Sequence, residues 1–69
     1  MTFGEAVLKL RSKRRISQRQ LADELNVSFT SINRWENGRT MPNKMTMLVI
    51  RQYCIDHGLD FSYDEEAGE

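Results

Sequence analysis

Cysteine and proline are nearly absent from this 69-residue sequence, which has one residue of each type. Cys54 has no second cysteine to pair with, so the small secreted scaffolds that depend on internal disulfides are excluded. We therefore expect a reducing, cytoplasmic location. No stretch approaches the roughly 20 consecutive apolar residues that a membrane-spanning helix needs. A chain of this length is expected to fold as one domain with a small core.

A net charge is also lacking, because ten basic and ten acidic side chains cancel. The two parts of the chain nevertheless differ in charge. Residues 1–44 carry nine basic and four acidic side chains, a net charge of +5, whereas residues 45–69 carry one and six, a net charge of −5. This asymmetry favours a polyanionic partner for the basic part, with residues 59–69 as a short acidic tail. A solvated surface without any partner would give the same composition.

Four segments carry the signals that begin and end helices. Thr2 with Glu5, and Ser17 with Gln20, have the spacing of capping boxes, in which two side chains satisfy each other's backbone amides. Single caps are predicted for the third and fourth helices at Ser28 and Asn43. Residues that tolerate the left-handed conformation are predicted to end the second, third and fourth helices: Asn26, Gly38 and Gly58. The sequence therefore predicts an all-α domain.

The fourth helix has apolar residues around most of its circumference, so it needs partners on two sides. We expect one side to face the domain core. The other side, around Met47, Ile50 and Cys54, is predicted to be covered by the C-terminal tail or by a second copy of the chain. The tail residues Leu59, Phe61 and Tyr63 alternate with polar residues, and a short strand, a turn of helix and a loose segment all remain open for the tail.

The third helix has two contrasting faces at 100° per residue. Its polar stripe consists of side chains that can read base edges in a DNA major groove: Thr30, Asn33, Arg34 and Asn37. Arginine can make paired hydrogen bonds to guanine, asparagine can do so to adenine, and threonine offers a hydroxyl and a methyl group. Phe29 lies at the border of this stripe, where it could touch a thymine methyl group. A purely solvated stripe, with Phe29 in the core, is the alternative interpretation.

The segment "ISQRQLADELNVSFTSINRWENGRTMP" resembles the helix-turn-helix of the phage repressor and Cro-like regulators, also called the XRE family. The resemblance extends from about Phe3 to Gly58 and rests on the "SQ" opening, the "LA" pair, the "ENG" turn and Pro42. It implies a compact lambda-repressor-like domain of four or possibly five helices over residues 1–58, with the helix-turn-helix at about 17–37. It also implies a transcriptional regulator, most often a repressor, that binds double-stranded DNA as a homodimer, with no cofactor and no enzymatic activity.

The resemblance also implies roles for individual residues. The positions that would contact bases are Phe29, Thr30, Asn33 and Arg34. The positions that would contact the DNA backbone are Gln18, Ser28, Asn37, Arg39 and Lys44. Arg11 and Glu36 would form a structural ion pair that ties the first helix to the end of the third. Arg15 and Asn26 depart from the family pattern, because each stands where a glycine is usual, and Arg15 would strain its turn by about 1 kcal/mol or change the turn's shape.

Other chemistries have weaker support in the sequence. Cys54 and His57 are three residues apart on a helix, but no further cysteine or histidine exists to complete a metal site or a catalytic group. The acidic run at 64–66 lacks the spaced ligands and central glycine of a calcium loop. Two functional alternatives to a regulator remain: a DNA-targeting module of a larger restriction or modification enzyme, and an antitoxin-like module that binds another protein.

Overall fold

The computed structural model describes residues 1–64 as four α-helices, with no strand among these residues. The helices are α1 (Phe3–Arg14), α2 (Gln18–Leu25), α3 (Phe29–Glu36) and α4 (Lys44–Asp56). The predicted all-α, four-helix class is therefore confirmed. The last acidic residues of the predicted tail, Glu65, Glu66 and Glu69, lie outside the described residues.

Each helix begins at the side chain that the sequence predicts. The side chains of Thr2 and Ser17 accept hydrogen bonds from the backbone amides three residues ahead, those of Glu5 and Gln20. The side chains of Glu5 and Gln20 in turn accept from the backbone amides of Thr2 and Ser17, so both capping boxes are complete. Ser28 and Asn43 cap α3 and α4 in the same way, although without the reciprocal bond. Polar residues outside the core thus fix where every helix starts.

The turns after α1 and α2 have nearly the same backbone geometry. Arg15 and Asn26 adopt left-handed conformations, with φ 57° and φ 59°. The following residue donates its amide to a carbonyl in the last helical turn, from Ile16 to Arg11 at 3.2 Å and from Val27 to Ala22 at 2.9 Å. Arg15 therefore adopts the left-handed conformation that glycine usually supplies, at a cost in backbone strain of about 1 kcal/mol.

The core lies where α1, α2, α3 and the inner side of α4 meet. Leu21, Ile32 and Ile50 are fully buried, and Trp35 also lies inside the core. The buried apolar side chains are Phe3, Ala6, Val7, Leu10, Leu21, Ala22, Leu25, Ile32, Trp35, Ile50, Tyr53 and Cys54. Ile16 and Val27, the residues that precede the caps of α2 and α3, pack against this core.

The start of α1 lies directly against the end of α3. A Cβ atom placed on Gly4 would be 2.5 Å from the carbonyl oxygen of Trp35 and 2.9 Å from that of Glu36. No side chain fits into this space, so glycine is required for the two helices to approach this closely. The approach fixes the end of α3 relative to α1.

The prediction for the second side of α4 was wrong in its residues. Ile50 and Cys54 belong to the domain core, and only Met47 lies at its edge. Residues 59–64 form neither helix nor strand, and they pack against the core through Leu59, Phe61 and Tyr63. The tail therefore supplies the cover, which was one of the two predicted alternatives.

Aromatic rings hold the C-terminal segment on α1. The ring of Phe3 makes edge-to-face contacts with Phe61 at 5.9 Å and with Tyr63 at 5.1 Å between centroids. At the end of the segment, the Asp64 amide donates to the Met1 carbonyl, and its carboxylate accepts from the Met1 amino group at 2.8 Å. None of the helices in residues 1–64 has the length and apolar character of a membrane span.

Candidate nucleic-acid interface

Three residues, Asn26–Ser28, join α2 to α3, and so short a connection forces the two helices to cross steeply. The inner surface of the pair is apolar, with Leu21 and Leu25 of α2 and Ile32 of α3 buried. Burial of Ile32 fixes the rotation of α3 about its axis. The polar stripe on the opposite side of α3 is therefore turned outward.

Arg34 and Thr30 are exposed on this outward side, and each is free to extend into solvent. Arg34 lines a shallow depression with Asn33, Asn37 and Arg39. The structure thus brings together two of the predicted base-contacting residues and two of the predicted backbone-contacting residues. Lys44, by contrast, is exposed at the first position of α4, beyond the intervening loop.

Phe29, the first residue of α3, is 38% exposed and belongs to no buried cluster. The guanidinium of Arg19 lies over its ring at 4.7 Å from the centroid. Both residues border a depression at the start of α2 that also includes Gln18 and Ser17. The outward interpretation of Phe29 therefore agrees with its position, whereas burial in the core does not.

Arg11 and Glu36 are in direct contact behind this surface. The Arg11 Nε donates to one Glu36 oxygen at 2.8 Å and its Nη2 donates to the other at 3.0 Å. The side chain of Glu36 is only 9% exposed, and the hydrogen bond from the guanidinium raises the pKa of Arg11. The pair connects α1 to the end of α3 in the geometry that gives arginine–carboxylate bonds their directionality.

Gln18 extends this ion pair into a network of amides. Its Nε2 donates to Glu36 at 2.9 Å, and its Oε1 accepts from Asn33 at 3.5 Å. Asn37 donates in turn to the backbone and side-chain oxygens of Asn33, at 2.8 and 3.2 Å. Three predicted DNA-contacting amides are thus fixed in place by one another. Because an amide nitrogen carries two hydrogens, Gln18 keeps one donor for an external acceptor.

The hydroxyl of Ser28 is used within the protein. It accepts from the Ser31 amide at 3.1 Å and shares a hydrogen bond with the Ser31 hydroxyl at 2.9 Å. Any contact from Ser28 to a partner would therefore come from its backbone or from the second lone pair of the hydroxyl.

A second polar network, which the sequence did not predict, joins α1, α2 and α4. Arg14 donates from Nε to the Tyr53 hydroxyl at 2.8 Å and from Nη2 to Glu24 at 2.9 Å. The Tyr53 hydroxyl also donates to Glu24. These bonds, first from Tyr53 and then from Arg14, lower the pKa of Glu24, whereas burial raises the pKa of Tyr53. Tyrosine on an otherwise apolar helix face was the only signal for this network.

Cys54 and His57, the pair considered as metal ligands, lie in different surroundings. Cys54 is buried, and burial raises the pKa of its thiol, while the His57 ring lies tilted against Tyr53 at 4.3 Å between centroids. Within residues 1–64, no group of three or more potential metal-ligating side chains comes together.

Comparison with known proteins gives two matches at the level of sequence. The family described as helix-turn-helix matches residues 7–54. The chain is also 38% identical over 53 residues to the HTH-type transcriptional activator BcrR of Enterococcus faecalis, a match that covers 77% of this chain and 26% of that protein. The chain therefore spans about a quarter of the length of this curated relative. No solved structure matches the chain significantly.

Proposed function

Because the chain belongs to the helix-turn-helix family of the XRE type, we propose that it regulates transcription by binding double-stranded DNA with α3 in the major groove. The observation that carries this proposal is the outward stripe of α3. Arg34 and Thr30 are exposed there and not committed to an intramolecular hydrogen bond among the described residues. Such side chains can distinguish base pairs by their edges in the major groove.

The roles of the surrounding residues follow from their positions. Phe29 and Asn33 flank the two outward side chains and complete the base-contacting set. Arg39 and Lys44 contribute positive charge toward phosphates on one side of α3. On the other side, Gln18 lies at the start of α2, where the helix N-terminus and its remaining amide hydrogen favour a phosphate oxygen. Ser28 and Asn37 contact the backbone close to α3.

The direction of regulation is a separate part of the proposal. We propose repression, because a small domain that occupies a promoter blocks access to it without any further activity. The Enterococcus faecalis relative is described as an activator, and activation is therefore the second candidate. A reporter gene downstream of the selected site distinguishes the two, since repression lowers its expression and activation raises it.

We further propose that the chain binds DNA as a homodimer, from a cytoplasmic location where DNA is accessible. The outer face of α4 exposes large apolar side chains that the tail does not cover: Met45, Leu48, Val49 and Ile55. Lys44 lies at one end of this helix and Asp56 at the other. An antiparallel pair of α4 helices would bury the apolar face and bring each lysine close to the partner's aspartate.

The dimer proposal is tested by sedimentation of the free protein and of the DNA complex. Leu48→Glu should produce a monomer or weaken dimeric binding. Leu8→Glu places the same charge at an exposed apolar site on α1 and serves as the matched control. Equal effects of the two substitutions, or a single unrepeated half-site in selected DNA, would refute this surface as the dimer contact.

Selection from random duplex DNA tests the proposed function as a whole. It should return a defined sequence, with half-sites about one helical turn apart if the dimer forms. Affinity should fall linearly with salt on a double logarithmic plot, because phosphate contacts release counterions. Absence of any salt-dependent DNA binding would contradict the proposal and favour the protein-binding alternative.

Two substitutions separate base reading from backbone contact. Arg34→Ala should cost roughly 1 to 3 kcal/mol and relax the preference at one base pair. Gln18→Ala should weaken binding to all sequences alike. Arg51→Ala removes an equal charge from α4, outside the helix-turn-helix, and provides the control. If Arg34→Ala left both affinity and sequence preference intact, the assignment of α3 as the reading helix would be wrong.

A further inference from the structure

The contact between Arg19 and Phe29 joins the N-terminal end of α2 to the N-terminal end of α3, the two helices of the helix-turn-helix. Arg19 is the second residue of α2 and Phe29 is the first residue of α3. Both are exposed, and the guanidinium lies 4.7 Å from the ring centroid. An exposed aromatic ring at the start of the reading helix would otherwise be free to rotate. Stacking of the guanidinium restricts this freedom.

The geometry of a guanidinium explains why this contact can serve binding rather than only shield the ring from water. A guanidinium placed over a ring is attracted through its charge and does not use its N–H groups as hydrogen-bond donors to other groups, so these donors stay available. Arg19 forms no ion pair with any acidic residue in the described part of the chain. Arg11 differs in this respect, since its donors go to Glu36 and to the backbone. Arg19 therefore keeps its charge toward the DNA-facing side.

The ring itself has one face covered and the remainder open. In a helix-turn-helix, the first residues of the second helix contact the base edges. The group on a base edge that suits an apolar ring is the C5-methyl group of a pyrimidine, which lies in the major groove and marks thymine. Threonine at position 30 also offers a methyl group, but it has no aromatic surface.

We propose that Phe29 reads the C5-methyl group of a thymine and that Arg19 is the positioning residue that holds the ring against it. This inference rests on the proposed function and adds to it the identity of one recognised chemical group. Arg19 was not among the residues that the sequence predicted to contact DNA. Its contribution depends on its stack with Phe29 in addition to its charge.

The test replaces each thymine of the selected duplex, one at a time, with deoxyuracil, which differs only by the missing methyl group. For the unaltered protein, one position in each half-site should weaken binding roughly fourfold, the value expected for one buried methyl or methylene group. Phe29→Ala should abolish this discrimination. Arg19→Ala should reduce this discrimination, and the double variant should lack it to the same extent as Phe29→Ala alone.

Two control variants separate positioning from charge and from stability. Arg39→Ala should weaken binding to the thymine and deoxyuracil duplexes equally, which leaves their ratio unchanged. Arg51→Ala removes another arginine–aromatic contact, in which the Arg51 guanidinium on α4 lies 6.0 Å from the ring centroid of Tyr63 in the C-terminal segment. This substitution should change neither the affinity for DNA nor the ratio of affinities for the thymine and deoxyuracil duplexes. Thermal unfolding of each variant shows that it is folded under the binding conditions.

The outcomes also distinguish this inference from the proposed function. If the duplex is bound specifically but no thymine shows a methyl effect, or if Arg19→Ala keeps the full effect, the inference is overturned while the function stands. If no duplex is selected, the proposed function fails first. If the methyl effect is lost in Phe29→Ala and reduced in Arg19→Ala at the same position, the inference is supported.

Discussion

Two neighbouring arginines of α1 build two networks of the same design in different surroundings. In each network, one glutamate oxygen accepts both an arginine Nη2 and a neutral donor. Arg11 and Gln18 meet at Glu36, whereas Arg14 and Tyr53 meet at Glu24. The glutamate side chains differ in exposure, at 9% for Glu36 and 36% for Glu24.

This difference in exposure separates two roles. The Glu36 network lies behind α3 and continues through Gln18 to Asn33 and Asn37, so it connects the core of the domain to its outward stripe. The Glu24 network joins α2 to α4 at the surface, where water screens charges. We therefore expect the first network to control both stability and binding, and the second to make a smaller contribution to stability alone.

The largest effect is expected from Glu36→Ala. The substitution leaves Arg11 and the Gln18 amide without their acceptor at a partly buried site, which should cost about 2 to 3 kcal/mol of unfolding free energy. Binding to all DNA sequences should weaken as well, because Gln18 and Asn33 lose their fixed positions. Urea denaturation and DNA titration measure the two effects. Glu24→Ala is the matched comparison, and equal losses from both would show that exposure does not separate the networks.

Gly4→Ala should disturb the Glu36 network by displacing the backbone at the end of α3. An added methyl group must displace the carbonyls of Trp35 and Glu36, and overpacking of this kind costs about 1 to 3 kcal/mol. On an exposed helix position, alanine would instead stabilise the helix relative to glycine. Thermal denaturation, with Ser12→Ala at an exposed site of α1 as control, checks the sign. Increased stability of Gly4→Ala would mean that the two helices separate without cost.

Much of the fold could be predicted from local signals in the sequence. Thr2, Ser17, Ser28 and Asn43 fixed the helix starts because caps act through hydrogen bonds within three residues, which spacing alone reveals. The outward stripe of α3 followed from helical periodicity in the same way. The individual DNA contacts remain predictions, since they depend on a partner.

The features that the sequence did not reveal all depend on contacts between distant segments. Nothing in the sequence distinguishes Gly4 from other glycines, because the requirement for glycine comes from the end of α3, which lies beside it in the fold. The side of α4 opposite the core was predicted around Met47, Ile50 and Cys54, because an apolar circumference does not show which side packs on the core. The stack of Arg19 on Phe29 depends on the crossing of α2 and α3, and periodicity within either helix does not report this geometry.

The smallest effect on stability is expected from loss of the Glu24 network, and the pH dependence of stability separates this effect from the others. The Tyr53 hydroxyl and Arg14 hold the pKa of Glu24 below its ordinary value of 4.5. A carboxylate with a lowered folded-state pKa stabilises the protein above the unfolded-state pKa, and this contribution disappears as pH falls through the folded-state value. The stability difference between the unaltered protein and Glu24→Gln should therefore be constant near neutral pH and vanish in acid.

Thermal melts of both proteins from pH 7 to pH 2.5, at low and high salt, measure this difference. High salt should shrink it at neutral pH, because Arg14 and Glu24 are both accessible to ions. The corresponding difference for Glu36→Gln should resist salt, since its carboxylate is largely shielded from solvent. If salt reduced both differences equally, the contrast between a buried and an exposed network would not hold, and both arginines of α1 would act as surface charges.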